Sequence, residues 1–347
     1  MLPEHLLDKN MEKPIKTGIL SFGMSGKIFH SPFLDAHDGF ELTAVVERSE
    51  KKAFQYYPYI KSYTSVEELL DDPNIELVVV NTPNLTHFDY ALKCLHAGKN
   101  VLMEKPFTIT SDEAKQLFQV ATKSRLKILP YQNRRFDSDC LSIRNIIDSG
   151  KLGQLVEVHI RYDRFRDTIS PKLFKETPGP GSGLMYDLGP HLLDQAISLF
   201  GKPLHWKKTL GIFRKNSLVD DYVHIHLEFP QGLNVFLTAS LMVIDAQPGF
   251  VIHGTRGSYI KQRTDSQEKQ LLAGMSPDNP NFGLEESGKE GILTTLMEDG
   301  STFQEKIISE KSTYLNLFDQ VFQCIRHGAL FPVTEDQIIQ QLEILEG

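Results

Sequence analysis

From Ile15 to about Pro130 the chain alternates short apolar runs with polar, helix-forming stretches. No other feature narrows its fold as much. Strands are expected over 15–21, 42–47, 77–81, 100–103 and 127–129. Helical segments are expected to begin near Ser25, Ser49, Ser65, Thr86 and Ser111. Ser65-Val66-Glu67-Glu68 and Thr110-Ser111-Asp112-Glu113 carry the hydroxyl and the later carboxylate that cap a helix start. Strands joined through helices run parallel and are covered on both faces. The fold class is therefore α/β.

After Pro130 the pattern changes. A helix is expected over 138–149, ending on Gly150, and another over 184–200. Strands read at 156–164, 205–213, 222–229, 233–241, 249–253 and 258–262. Tight turns such as Pro230-Gln231-Gly232 favour an open, mostly antiparallel sheet. The stretch 266–301, rich in Gly, Pro, Asn and Glu, reads as loop. Helices over 314–327 and 335–345 close the chain. Two domains follow, 1–130 and 131–347, and a chain of 347 residues gives each enough surface to bury a core. Residues 1–13 read as a polar leader, with Met11 an alternative start.

A net charge of −8 and the lack of a basic run argue against a nucleic-acid partner. The longest apolar runs, such as Leu77 to Val80, are far too short to cross a membrane. The leader has no apolar signal region, so a cytoplasmic location is expected. Cys94, Cys140 and Cys324 are scattered and odd in number, which fits neither a disulfide framework nor a metal site.

The turn after the first strand suggests a dinucleotide site. In Ser21-Phe22-Gly23-Met24-Ser25-Gly26, Ser21, Gly23 and Gly26 occupy the positions of G-x-G-x-x-G. The second glycine lets backbone approach a pyrophosphate, and the third lets helix and strand pack closely. The helix start then offers free N–H groups to phosphate. Glu47 ends the second strand, at the spacing that suits ribose hydroxyls, although a solvated strand end reads the same way. Arg48 follows at once and suits a 2′-phosphate, so NAD and NADP both stay open. Thr82, Pro83 and His87 follow a strand end where a cofactor would lie, with His87 read as non-catalytic.

Two further runs carry chemistry: Met103-Glu104-Lys105-Pro106, and Asp187-Leu188-Gly189-Pro190-His191. They supply a lysine, an aspartate and a histidine, the groups needed to move a hydroxyl proton while a hydride leaves the same carbon. Taken singly, Lys105 reads as a surface charge, Asp187 as a helix cap and His191 as a core residue. It is their joint occurrence beside a dinucleotide loop that favours catalysis.

With the glycine loop, Glu104-Lys105-Pro106 resembles the glucose–fructose oxidoreductase and inositol dehydrogenase (Gfo/Idh/MocA) family. Further matches are Phe29-His30-Ser31-Pro32, the run Tyr131 to Asp139, and the run Gly183 to Gln195. The set looks most like the branch containing NADP-dependent scyllo-inositol dehydrogenases. Ser21 departs from the family's usual glycine. The resemblance implies a Rossmann domain followed by an α/β domain with an open sheet that often packs face to face, so a homo-oligomer is expected. It also implies a cis bond before Pro106, and Glu104 and Lys105 beside the cofactor.

The implied activity is NAD(P)-dependent hydride transfer to or from a cyclic polyol or sugar, an inositol and its ketone leading. Alternatives are another sugar-derivative, biliverdin-type or imine-type reductase, or a non-catalytic nucleotide sensor. His191 is the expected general base and Lys105 the donor to the reacting oxygen, with the proton-transfer role open between them. Asp187, four residues before His191, is expected to orient substrate or hold the imidazole tautomer. Arg135 reads as structural, whereas Asn133 and Arg134 stay open. Tyr162, Arg164 and Arg166 alternate along a strand and read slightly better as a solvated sheet face.

Overall fold

The computed structural model describes residues 12–171 and 173–347. The expected leader lies outside the described residues over positions 1–11. Six strands form a parallel sheet: β1 (Ile15–Ile19), β2 (Phe40–Val46), β3 (Lys61–Tyr63), β4 (Leu77–Val80), β5 (Asn100–Met103) and β6 (Ile128–Pro130). Their order is β3-β2-β1-β4-β5-β6. The chain reverses direction across the sheet between β1 and β4, and ligands bind at such a switch point. Helices α1 (Ser31–Ala36), α2 (Val66–Leu70), α3 (His87–His96) and α4 (Ser111–Ser124) make the crossovers. Thr110 and Glu113 cap α4 reciprocally, as their spacing predicts.

The helix expected near Ser49 does not form. A single 3₁₀ turn at Ala53–Gln55 stands there instead, followed by the unanticipated edge strand β3. Pro58, within Tyr57-Pro58-Tyr59, keeps the preceding residue out of helical geometry.

Helix α5 (Ser138–Asp148) leads into the second sheet, ordered β14-β13-β12-β11-β7-β10-β9-β8. These strands are β7 (Leu155–Asp163), β8 (His205–Gly211), β9 (Tyr222–Glu228), β10 (Asn234–Ser240), β11 (Phe250–Gly254), β12 (Gly257–Lys261), β13 (Gly291–Leu296) and β14 (Thr302–Ile307). All pairings are antiparallel except β7 with β10. The short helix α6 (Leu173–Glu176) and the long helix α7 (Gly183–Phe200) follow β7, and α7 packs on β7, β9 and β10. It buries Val158, Ile160, Val223, Ile225, Val235 and Leu237 against Leu188 and Leu192. Each such side chain contributes ~1.5–3 kcal/mol.

The stretch 266–301 is not all loop. It holds α8 (Ser266–Leu272), whose start is capped by Asp265 accepting from Glu268 N–H, and also β13. These elements are short, and pairing with neighbouring strands, rather than local propensity, fixes β13. The last two helices, α9 (Leu315–His327) and α10 (Glu335–Glu346), return to the parallel-sheet domain. Helix α9 adds Leu317, Phe318 and Val321 to the cluster of Ile15, Phe33 and Phe40, and α10 packs on both α4 and α7.

Candidate active site

The turn after β1 is shaped by steric closeness rather than by unusual backbone angles. Neither Ser21, Gly23 nor Gly26 has a positive φ. A Cβ on Gly26 would sit 2.1 Å from the Ser21 carbonyl oxygen, so only glycine fits. Asn81, at the end of β4, donates to that same carbonyl at 2.8 Å, tying the two strand ends across the switch point. Ser21 replaces the usual glycine without distortion, and its hydroxyl accepts the Gly23 N–H at 3.4 Å. Met24 is exposed on this loop.

Beside the loop lies a groove of about 550 Å³, lined by Ser21, Phe22, Glu47, Arg48, Thr82 and Pro83 among others. The glycine cradle and the sheet's carboxyl edge fit a dinucleotide. The expected partner of the ribose hydroxyls, Glu47, is however already engaged. One carboxylate oxygen accepts the N–H groups of Lys52 (2.7 Å) and Ala53 (3.1 Å), and the other accepts the Ser62 hydroxyl (2.7 Å). Glu47 thus caps the turn that replaced the expected helix. Arg48 is exposed on the same groove.

His87, expected to line the cofactor, is instead buried. Its ring nitrogens lie 2.8 Å from the Pro106 carbonyl and 2.9 Å from the Thr82 carbonyl, so it fastens one loop to the other. Glu104 likewise meets its own chain. It accepts from the Ser25 hydroxyl (2.6 Å) and the Lys105 N–H (3.0 Å) and pairs with His30 (3.0 Å). Burial alone would raise its pKa, but these partners hold it at about 2. Glu104 therefore connects the glycine-rich turn to the lysine that follows it. Nothing local in the sequence signals the buried His30; the matching Phe29-His30-Ser31-Pro32 run is its only trace.

The bond before Pro106 is cis. Lys105 reaches α7, where its Nζ donates to the Asp187 carbonyl at 2.6 Å and lies 3.5 Å from the Asp187 carboxylate. Burial lowers the lysine's pKa, with Asp187 opposing the shift. Lys175 binds the same carboxylate at 2.6 Å. Against its burial, Asp187 is thereby held well below the usual carboxylate range. This corrects one expectation: Asp187 is committed to two lysines and does not hold the tautomer of His191. Lys175 was missed because it lies in a Pro- and Gly-rich stretch with no pattern to mark it.

His191 is buried one turn along α7 from Asp187. Burial, then the positive charges of Lys105, Arg134, Arg263 and Arg164, push its pKa well below the ordinary histidine value. It is accordingly neutral near pH 7, the state a general base needs. Its Nδ1 has no hydrogen-bond partner among the described residues.

Of the Asn133-Arg134-Arg135 run, the two arginines build structure. Arg134 bonds Asp137, Asp265 and Glu268, and Tyr314 donates to Asp137 at 2.7 Å. Arg135 makes a fork to Asp194 at 2.8 and 2.7 Å. Tyr162, read as solvated, is buried beside His191. Its phase with Val158 and Ile160 was the signal for burial.

A parallel sheet with this strand order, a close-packed turn at its switch point, and a lysine that reaches the second-domain helix carrying Asp187 and His191 define an NAD(P)-binding oxidoreductase. Sequence similarity then fixes the family. Residues 15–131 match the oxidoreductase family with an NAD-binding Rossmann fold, and residues 140–260 match the GFO/IDH/MocA C-terminal domain. The chain belongs to the Gfo/Idh/MocA family. It is 39% identical to an uncharacterised oxidoreductase of Schizosaccharomyces pombe, over 96% of each chain. It is 34% identical to scyllo-inositol 2-dehydrogenase (NADP(+)) IolW of Bacillus subtilis, over 96% of this chain and 92% of that one. A crystal structure of an oxidoreductase from Bacteroides fragilis superposes with a TM-score of 0.88 at 40% identity, over 96% of each chain.

Proposed function

We propose that this oxidoreductase interconverts a cyclic polyol, of inositol type, with its ketone, and that it prefers NADP. The observation that carries the reading is Lys105 held against Asp187, with buried His191 one helical turn further on. Oxidation of the alcohol removes a hydride from the carbinol carbon and a proton from its hydroxyl. A bound nicotinamide would supply the acceptor for that hydride. His191 accepts the proton, and the Lys105 ammonium donates to the reacting oxygen as negative charge develops on it. Asp187 holds Lys105 in place. The similarity to IolW, named for scyllo-inositol and NADP(+), supports both substrate class and cofactor.

The cofactor preference rests on Glu47 and Arg48. With both Glu47 oxygens engaged by the chain itself, the ribose side of the groove is left to Arg48, whose charge suits a 2′-phosphate. Arg48→Ala is expected to weaken NADPH binding by about 10–100-fold and NADH binding hardly at all, as read by titration of nicotinamide fluorescence.

A domain boundary after Pro130, the last residue of β6, and association of two copies through the open face of the second sheet complete the proposal. The deciding experiment follows oxidation of NADPH and NADH by absorbance against inososes and keto-sugars. Turnover of an inosose with NADPH is expected. No turnover of any cyclic ketone, with cofactor bound, would sink the substrate reading.

A further inference from the structure

Two lysines meet the Asp187 carboxylate, and they meet it differently. Lys175 Nζ lies 2.6 Å from Oδ1. Lys105 Nζ stands 3.5 Å from the same oxygen and makes its own short bond, 2.6 Å, to the uncharged backbone carbonyl of Asp187. The close ion pair at the site is therefore Lys175 with Asp187. Lys105, the candidate donor to the reacting oxygen, rests on a peptide dipole.

Lys175 is brought there by a latch on its neighbour in sequence. Glu176, the last residue of α6, accepts from the Arg214 guanidinium at 3.2 and 2.8 Å and from the Ser170 N–H at 3.0 Å. Arg214 is buried, and is itself fixed by Asp221 (3.2 Å) and by the Thr168 carbonyl (3.2 Å). A two-pronged guanidinium–carboxylate bond sets orientation as well as distance. It ties down the segment between β7 and α7 and so holds Lys175 against α7.

Without Lys175, the Asp187 carboxylate would be left to Lys105. The other charged groups facing Lys105 are engaged elsewhere. Glu104 is bonded to Ser25, His30 and the Lys105 N–H, and Arg134 to Asp137, Asp265 and Glu268. Arg164 faces Asp187 and His191 from the strand side. Burial, and then the Lys175 charge, hold the Lys105 pKa down against the pull of Asp187. An ammonium has three N–H donors. With one on a carbonyl and none in a close bond to a carboxylate, Lys105 keeps donors and charge for an oxygen that turns negative.

We propose that Lys175 is a positioning residue for hydride transfer: it takes the Asp187 carboxylate and so leaves the Lys105 ammonium available to the reacting oxygen. The inference rests on the reading of Lys105 as the donor to that oxygen, and it gives the segment between β7 and α7 a part in the chemistry.

The test compares wild type with Lys175→Met, which removes the charge, and Lys175→Arg, which keeps it. Lys105 is titrated by NMR in protein with isotope-labelled lysine side chains, its signal assigned by its loss in Lys105→Arg. In Lys175→Met the Lys105 titration should move to higher pH, because a neighbouring cation is gone and Asp187 turns to Lys105. The alkaline limb of kcat/KM, measured with scyllo-inositol and NADP, should rise by about one pH unit, while the acidic limb stays in place. The expected loss in kcat is about 10-fold, with KM little changed, and Lys175→Arg should restore both rate and profile. Unchanged NADPH affinity shows that the variants are folded. A merely structural lysine would change KM or stability and leave the Lys105 titration where it was. An unmoved titration in Lys175→Met, or a raised one with wild-type kcat, overturns the inference and leaves the polyol reading intact. A raised titration in a protein that turns over no cyclic alcohol or ketone overturns the polyol reading instead and upholds the hold of Lys175 on Lys105.

Discussion

At the scale of single residues, the proposed catalysis rests on two groups whose surroundings move their pKa values in the same direction. Burial lowers both Lys105 and His191, and Asp187 resists the shift only for the lysine. Alcohol oxidation needs His191 neutral and Lys105 charged. The acidic limb of kcat/KM should therefore fall below pH 6.5, the unshifted histidine value, and the alkaline limb below 10.5, the unshifted lysine value. Activity rises as His191 loses its proton and falls as Lys105 loses its own. A profile whose acidic limb lies above 6.5 would contradict this assignment. Lys105→Ala should lower kcat by about 10²–10³-fold and leave the cofactor Kd nearly unchanged. Unaltered turnover would remove Lys105 from the chemistry. The identities of Lys105, Asp187 and His191 were legible in the sequence because three unusual runs coincide in one chain. Their partnership was not: the spacing of Asp187 and His191 suggested a pair, whereas the fold gives Asp187 to Lys105 and Lys175.

At the scale of elements, the functional unit is the strand end and the turn that follows it. The turn after β1 works because backbone and Asn81 close in on Gly26, leaving no room for a side chain. Gly26→Ala should push the Ser21 carbonyl away and weaken dinucleotide binding by about 10-fold or more, with overpacking costing ~1–3 kcal/mol of stability. Titration of NADPH and thermal unfolding read the two effects separately. Wild-type affinity in the variant would show that this turn does not hold the cofactor. Periodicity located most strands to within a residue or two, β5 among them at Asn100–Met103. It failed where neighbours decide. Strands β3 and β13 and helix α8 are short, and two of the three are held by sheet pairing more than by their own sequence.

At the scale of the whole molecule, one face of the second sheet is covered by α7. The other carries Phe236 stacked on His159, His224 and His226, with centroid separations of 5.0, 6.1 and 4.6 Å. Packing of a second copy there would bury these rings over an area typical of stable pairs, roughly 1,200–2,000 Å². Sedimentation should give twice the mass of one chain, and Phe236→Asp should return it to a monomer. A wild-type monomer at micromolar concentration would refute that association. Several features were settled by sequence alone: the α/β class, the close-packed turn, and the supply of a lysine, an aspartate and a histidine. These depend on period, on the size of glycine and on side-chain chemistry, all of which are local. Tertiary structure alone decided the rest. It turned Glu47 onto its own chain, gave Asp187 to two lysines, buried Tyr162 beside His191 and sent α9 and α10 back to the first domain. Each of these depends on which distant surfaces meet in the folded chain, and the order of residues along it does not encode that locally.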